Sequence, residues 1–334
     1  MAGTGSRTKV TIRDLGSEFG FGSRIDGLCW DNIGDEDLRA DLFALFEERG
    51  VLLFQNIEPS AKMQVELSKI FGPIKDHPTQ STARAAEDLE PGVIDMHRHA
   101  GETVGTLHGV PVVNGEPRIA YLPWHFDHSY NDELNRAGVL RSIVKSPERG
   151  RTGFCDGIQL TRDFDPGLLA AIEGLNAIYT LDFRLTQMRF GRDFEITGDL
   201  PFMASNVEEA RVFPRAIHPM VWTRADGNKV VHFCGVTCDG IEHHEDAEGE
   251  ALMERACREI IRKARGYWHD WKPTDMIVWD NWRIMHAVEG CDPKYERRMQ
   301  RTTIKGDYGL GYFEHGKKIG EVLREVAPLD LPVN

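Results

Sequence analysis

Two periods alternate along the first seventy residues. Leu38, Leu42, Phe43, Leu45 and Phe46 recur at helical spacing behind the acidic start Asp35-Glu36-Asp37, and Gly50 stands where a left-handed cap would end the last turn. That spacing predicts a helix over 35–49. The uninterrupted Val51-Leu52-Leu53-Phe54 then reads as a buried strand, and Pro59-Ser60 opens a second helix that runs to Phe71 and stops at Gly72-Pro73. Ahead of these lie a small, polar, frayed start at 1–9 and a short extended piece at Val10–Ile12.

From 74 to 121 neither period holds. Short apolar pieces are scattered among Gly101, Gly105, Gly109 and Gly115, and a connection this long is typically a functional cover, so the segment is expected to be a lid or insertion. A second irregular, charged insertion is expected at 184–210. Strands are expected at Val139–Val144, from Gly153-Phe154, and at Leu175–Phe183, with a short helix at Pro166–Glu173. The clearest hairpin pattern pairs Val212–Thr223 with Lys229–Gly235 across Ala225-Asp226-Gly227-Asn228. Glu248–Gly266 reads as a helix whose stripe of Arg255, Arg258, Arg262 and Arg265 is interleaved with Glu254 and Glu259, a solvated face. Met276–Trp279, Ile284–Val288 and Met299–Lys305 complete the strands before a Gly-rich, charged tail. Many short strands, few helices and no β-α alternation predict a mainly β fold with flanking helices, built on an antiparallel double-sheet barrel or jelly roll. All 334 residues are read as one domain.

Composition narrows the partners. The net charge of −13 disfavours broad capture of nucleic acid, and no apolar run is long enough to span a bilayer, so a small-molecule substrate is expected. The first nine residues carry no apolar signal segment, which makes the cytoplasm the expected compartment. Six scattered cysteines without zinc-site spacing read as reduced, mostly buried thiols. A homo-oligomer is compatible with the sequence but not specified by it.

The chemistry centres on Tyr121-Leu122-Pro123-Trp124-His125-Phe126-Asp127-His128-Ser129. If this stretch is extended, His125 and Asp127 project from one face, and an imidazole with a carboxylate is two thirds of the 2-His-1-carboxylate set that holds non-heme iron(II). Of the thirteen histidines, the twelve besides His125 compete for the third place. His243-His244 sits in an acidic turn, His269 between tryptophans, and His232 within a strand as a satisfied core residue. His97-Arg98-His99 has the right spacing but no carboxylate beside it in sequence. His286 differs, because it lies on a strand returning from the buried turn Trp279-Asp280-Asn281-Trp282. Beyond it Arg297 and Arg301 share one face of the last strand while Arg298 faces away. A buried guanidinium needs an anion, and its fork suits a carboxylate.

In order, His125-Phe126-Asp127, Thr152, His286, Arg297 and Arg301 resemble the taurine dioxygenase and dichlorophenoxyacetate dioxygenase family of iron(II)- and 2-oxoglutarate-dependent oxygenases. The likeness extends over nearly the whole chain, through Phe71-Gly72, Arg151-Thr152-Gly153-Phe154 and Arg301-Thr302-Thr303. It implies a double-stranded β-helix core, iron(II) on His125, Asp127 and His286, and 2-oxoglutarate on Thr152 and Arg297. It also implies O2 as the other cosubstrate, release of succinate and CO2, and oxidation of a small anionic substrate. His77 matches a substrate-contacting histidine of the family, and Arg301 and Tyr121 are placed with it on the substrate side. Where the taurine pattern has a tyrosine three residues after that histidine this chain has Gln80, so taurine is not carried over. Rival readings are a cupin-like metal-binding protein without turnover, a zinc hydrolase on the same three ligands, and a nucleic-acid demethylase. Asp127 argues against a halogenase, whose relatives lack that carboxylate.

Overall fold

The computed structural model describes residues 10–75, 90, 92–101, 110–197 and 213–316. The expectations for 1–9, His77, Gln80, most of 74–91 and 198–210, and the end of the tail lie outside them. The fold is mainly β with flanking helices.

Local rules account for the opening elements. Helix α1 (Glu36–Arg49) starts where the Asp35 side chain accepts from Leu38 N, and ends at Gly50, whose φ of 73° lets its N–H reach Phe46 O. Such an N-cap contributes about 1 kcal/mol. The apolar stripe of α1 buries Leu42 and Phe46, each a side chain whose burial contributes roughly 1.5 to 3 kcal/mol. They pack on helix α2 (Ala61–Phe71), capped by Ser60, with Phe46 and Phe71 ring centroids 5.0 Å apart.

Behind the helices lies the larger sheet. Its path is β1 (Thr11–Asp14), β2 (Ser23–Asp26), β3 (Val51–Gln55), β18 (Met276–Asp280), β9 (Ala137–Val144), β20 (Arg297–Ile304) and β4 (Ile74–Lys75), with β5 (Val93–Arg98) also paired to β20. All of these pairs are antiparallel except β2 with β3. The second sheet runs β17 (Tyr267–His269), β10 (Thr152–Asp156), β19 (Ile284–Val288) and β8 (Leu122–His125). The two share a core: Leu53, Leu140, Ile277, Trp279 and Met299 from the first sheet meet Phe154 and Ile284 from the second. Gly138 is required there, because a Cβ would come within 2.4 Å of the Trp279 ring.

Three expectations are corrected. The long hairpin is split, because only β14 (Val221–Thr223) and β15 (Lys229–Val231) pair across the turn, while β13 (Ala216–Pro219) joins β11 (Asn176–Tyr179) in a third sheet with β16 (Cys238–Ile241) and β21 (Tyr312–Phe313). Alternation shows that a segment is extended but not which neighbour it meets. The strand also ends at Val231 rather than Gly235, and the buried His232 ring bonds the Asn281 carbonyl at 2.8 Å. The segment 74–121 is not irregular throughout: it supplies β4, β5, β6 (Val110–Val113) and β7 (Glu116–Pro117). Finally, β6 pairs antiparallel with β12 (Glu195–Thr197), so the two expected insertions meet in one three-stranded sheet.

Helices α3 (Gly157–Asp163) and α4 (Pro166–Ile172) follow β10, and α5 (Ala247–Lys263) is capped by Asp246, which accepts from Glu248 N and Gly249 N. On α5 and just past its end, Arg255, Arg258, Arg262 and Arg265 are exposed, as expected of a solvated stripe; Arg258 pairs with Glu254 and Arg262 with Glu259, which is itself buried and also accepts from Asp165 N. All six cysteines are free thiols, five of them buried.

Candidate active site

Strands β8 and β19 bring the two histidines together. His125 and His286 are direct antiparallel partners with ring centroids 4.0 Å apart. The extended stretch ends at His125, however, and Asp127 begins the turn 127–130, in which His128 takes a left-handed φ of 63°. A strand alone would not aim Asp127. Its backbone is held from across the site by Asn281, in the turn between β18 and β19. Asn281 Oδ1 accepts from Asp127 N at 2.9 Å, and Asn281 Nδ2 donates to Asp127 O at 3.0 Å. Asn281 is fully buried, and its amide also reaches Asn135 Oδ1. Both backbone groups of Asp127 are thus satisfied by one side chain.

The donor set fits a divalent metal. His125 Nδ1–H donates to the Pro123 carbonyl at 2.8 Å, which leaves the Nε2 lone pair facing inward. His125 Nε2 lies 4.0 Å and His286 Nε2 3.7 Å from Asp127 Oδ1, and the three donor atoms are mutually within 4.8 Å. Adjacent ligands about 2.1 Å from a common ion would stand roughly 3 Å apart, so a small inward adjustment closes the set. All three residues are at most 9% exposed. Burial lowers both imidazoles below their ordinary pKa, and at His286 the neighbouring His125 adds to it, keeping them neutral as ligands must be. Burial would raise the Asp127 carboxyl, but the Arg301 guanidinium beside it leads the effects that outweigh burial and hold it well below the usual carboxylate range.

Arg301, placed on the substrate side from the sequence, is occupied at one end by a carboxylate of the protein. Its Nη1 donates to Asp127 Oδ2 at 2.7 Å, on the oxygen turned away from the histidines, while its Nε has no partner among the described residues. Arg297, four residues back on the same face of β20, is different. It is 6% exposed, and among the described residues its guanidinium has no hydrogen bond or ion pair. Burial lowers it to about 10, partly countered by Cys291. A Cβ on Gly150 would lie 3.6 Å from Arg297 Nε, which brings the approach to β10 against this side chain. Two residues on, Thr152 is buried and its Oγ1 accepts from Trp271 Nε1 at 3.0 Å, so its hydroxyl hydrogen remains to be donated. Arg297 and Thr152 therefore offer a buried cation and a donor suited to a carboxylate. Tyr121 is half-buried, its ring set edge-on to Phe194 at 5.2 Å.

A family model described as taurine catabolism dioxygenase TauD, TfdA family matches residues 11–303. The chain belongs to the TauD/TfdA dioxygenase family. Its cofactor and cosubstrates are those of that family, iron(II), 2-oxoglutarate and O2, and it is an oxidoreductase. Among its relatives, the alpha-ketoglutarate-dependent 2,4-dichlorophenoxyacetate dioxygenase of Cupriavidus pinatubonensis is 26% identical over 286 residues, covering 82% of this chain and 91% of that protein. The (S)-phenoxypropionate/alpha-ketoglutarate-dioxygenase of Sphingobium herbicidovorans is 23% identical, covering 86% and 92%. Among solved structures, AAD-2 in complex with Mn(II) and N-oxalylglycine superposes with a TM-score of 0.66 at 20% identity, over 90% of this chain and 98% of that one. A taurine dioxygenase from Burkholderia xenovorans gives 0.62 at 17% identity, over 92% and 94%. These likenesses establish the fold shared by this TauD/TfdA dioxygenase and its neighbours.

Asp280 and Asn281 have tasks that their place in the sequence did not assign. The available signal was a polar pair between two buried strands, which has to find partners. Asp280 finds Arg136 and Arg224, and Asn281 finds the Asp127 backbone.

Proposed function

We propose that this dioxygenase oxidises, by hydroxylation, a small anionic organic molecule, with His125, Asp127 and His286 holding iron(II) and with Thr152 and Arg297 holding the distal carboxylate of 2-oxoglutarate. The observation that carries the reading is Arg297: a buried guanidinium without an acceptor among the described residues, on the same face of β20 as Arg301, which bonds the candidate metal ligand Asp127. When bound, iron(II) with 2-oxoglutarate and O2 supplies the oxidising power, releasing succinate and CO2. The chain's own part is orientation. Asp127 is presented by Asn281 and steadied by Arg301, and His125 is fixed in one tautomer by Pro123. Arg297 and Thr152 set the depth at which the cosubstrate sits.

The relatives are named for aryloxy carboxylic acids, which supports a carboxylate-bearing substrate of that size here. Arg301, with its Nε open, and the half-buried Tyr121 are the substrate-side groups this reading uses; His77 is its third, by resemblance alone. The reading takes the two main sheets as the halves of a double-stranded β-helix in a single oxygenase domain, with 74–121 and 184–210 as its covers. It places the enzyme in the cytoplasm, in keeping with its free thiols. The test is substrate-dependent succinate formation from a panel of aryloxy acids, other carboxylates and sulfonates, with iron(II), 2-oxoglutarate and ascorbate under air. Turnover of a neutral compound with none of the anions accepted would overturn the anionic-substrate reading.

A further inference from the structure

We propose that His97, His99 and Glu296 form a second metal site, on the outer face of the β5–β20 pair, for a borderline divalent cation of the zinc(II) type. From sequence, His97-Arg98-His99 lacked a carboxylate. Pairing supplies one. Strand β5 runs antiparallel to β20 with Arg298 opposite His97 and Arg297 opposite Arg98, and contact continues outward to Gly101 N on Pro293 O at 2.8 Å. That register brings Glu296, just ahead of β20, alongside the two imidazoles. One donor atom from each of the three lies within 4.8 Å of the others. His97 Nε2 and Glu296 Oε1 are 2.7 Å apart, and the two imidazole centroids 3.8 Å apart.

The His97–Glu296 ion pair has a second imidazole, His99, set against it, which makes the cluster a three-donor set and not a pair. Two protonated rings at this separation would repel each other. Two neutral rings and a carboxylate with donor atoms this close are a set that suits zinc-like ions and not magnesium or calcium, the ion taking the place of the proton shared by His97 and Glu296. The surrounding charge permits it. Arg298, on the same face, is neutralised by Asp95, with Nε to Oδ1 at 2.9 Å. The side chains of His97 and Glu296 are 25% and 42% exposed, so an ion can enter and water can complete its shell. Alternation along β20 sets this site on the face opposite Arg297 and Arg301, so it is separate from the candidate active site and independent of the roles proposed there.

The experiment is a zinc(II) titration of the metal-stripped full chain against a chromophoric chelator, for the wild type, His97→Ala, Glu296→Gln and Asp127→Ala. His97→Ala and Glu296→Gln should each bind one equivalent fewer than the wild type, and Asp127→Ala should keep the equivalent those two lose. Excess magnesium should leave that equivalent in place. Because the altered side chains are partly exposed, both variants should melt as the wild type does; His99→Gln, at an exposed position, serves in place of either that does not. If the variants bind as much zinc as the wild type, or if magnesium displaces the equivalent they would lose, the site is refuted.

Discussion

Replacing Arg297 with Met should move two observables in opposite directions. Methionine keeps most of the volume and removes the charge. In the ligand-free protein the guanidinium is buried without an anion among the described residues, and its depression from 12.5 to about 10 corresponds to roughly 3 kcal/mol of unfavourable burial at neutral pH. Removing it should therefore raise the stability of the ligand-free protein, by up to that amount less whatever packing is lost. A hydrogen bond to a charged group contributes about 1.5 to 3 kcal/mol, so 2-oxoglutarate should bind roughly 10- to 150-fold more weakly. Thermal melts with and without the cosubstrate read both quantities. At a hundredfold excess over its dissociation constant, 2-oxoglutarate adds about 2.7 kcal/mol to the wild type, and at the same concentration the variant should lose most of that gain. A destabilised variant that still binds 2-oxoglutarate with wild-type affinity in calorimetry would refute the argument, since Arg297 would then be satisfied within the protein.

Asn281→Ala leaves the Asp127 N–H and C=O without partners, about 1 to 3 kcal/mol each, and should weaken anaerobic iron(II) binding tenfold or more; a lower melting temperature with unchanged iron affinity would reduce Asn281 to a purely structural part. Arg301→Lys keeps a charge beside Asp127 but loses the planar fork, so it should raise the substrate KM more than that for 2-oxoglutarate, and equal damage to both would assign Arg301 to the cosubstrate. Burial lowers His218 and His232 to about 4, partly offset by their bonds to the Asn131 and Asn281 carbonyls. Below about 6.5 the unfolded chain binds more protons at these rings than the folded one, so stability should be complete above that pH and fall toward pH 4, by roughly 3 kcal/mol per imidazole. Melting curves of the His218→Asn, His232→Asn double variant should show a shallower pH dependence than the wild type in that window, and an identical slope would discount both rings.

The elements that sequence discloses best are those whose signals are local. Asp35, Gly50 and Ser60 announced α1 and α2 because caps act within one turn, and β3 and β18 were legible as apolar runs and β19 as one interrupted only by His286. The donors His125, Asp127 and His286 were found through residue type and order. What escaped was pairing. Nothing in 93–98 states that it will lie beside 297–302, and so Glu296 could not be seen next to His97, nor Arg301 on Asp127. The split hairpin failed for the same reason, and α3 was missed because its seven residues hold too little period to stand out.

The pairing of β6 with β12 carries a consequence for how specificity can change in this enzyme. Val110–Val113 and Glu195–Thr197 are far apart in the chain yet share a ladder, and Tyr121 rests on Phe194 at its side. A displacement of one strand that preserves the ladder carries the other with it. The two segments proposed above as covers are then a single mechanical part with two genetic addresses. Recombination that exchanges only one of them between relatives would mismatch the seam, whereas exchanging both together would keep the β6–β12 ladder matched.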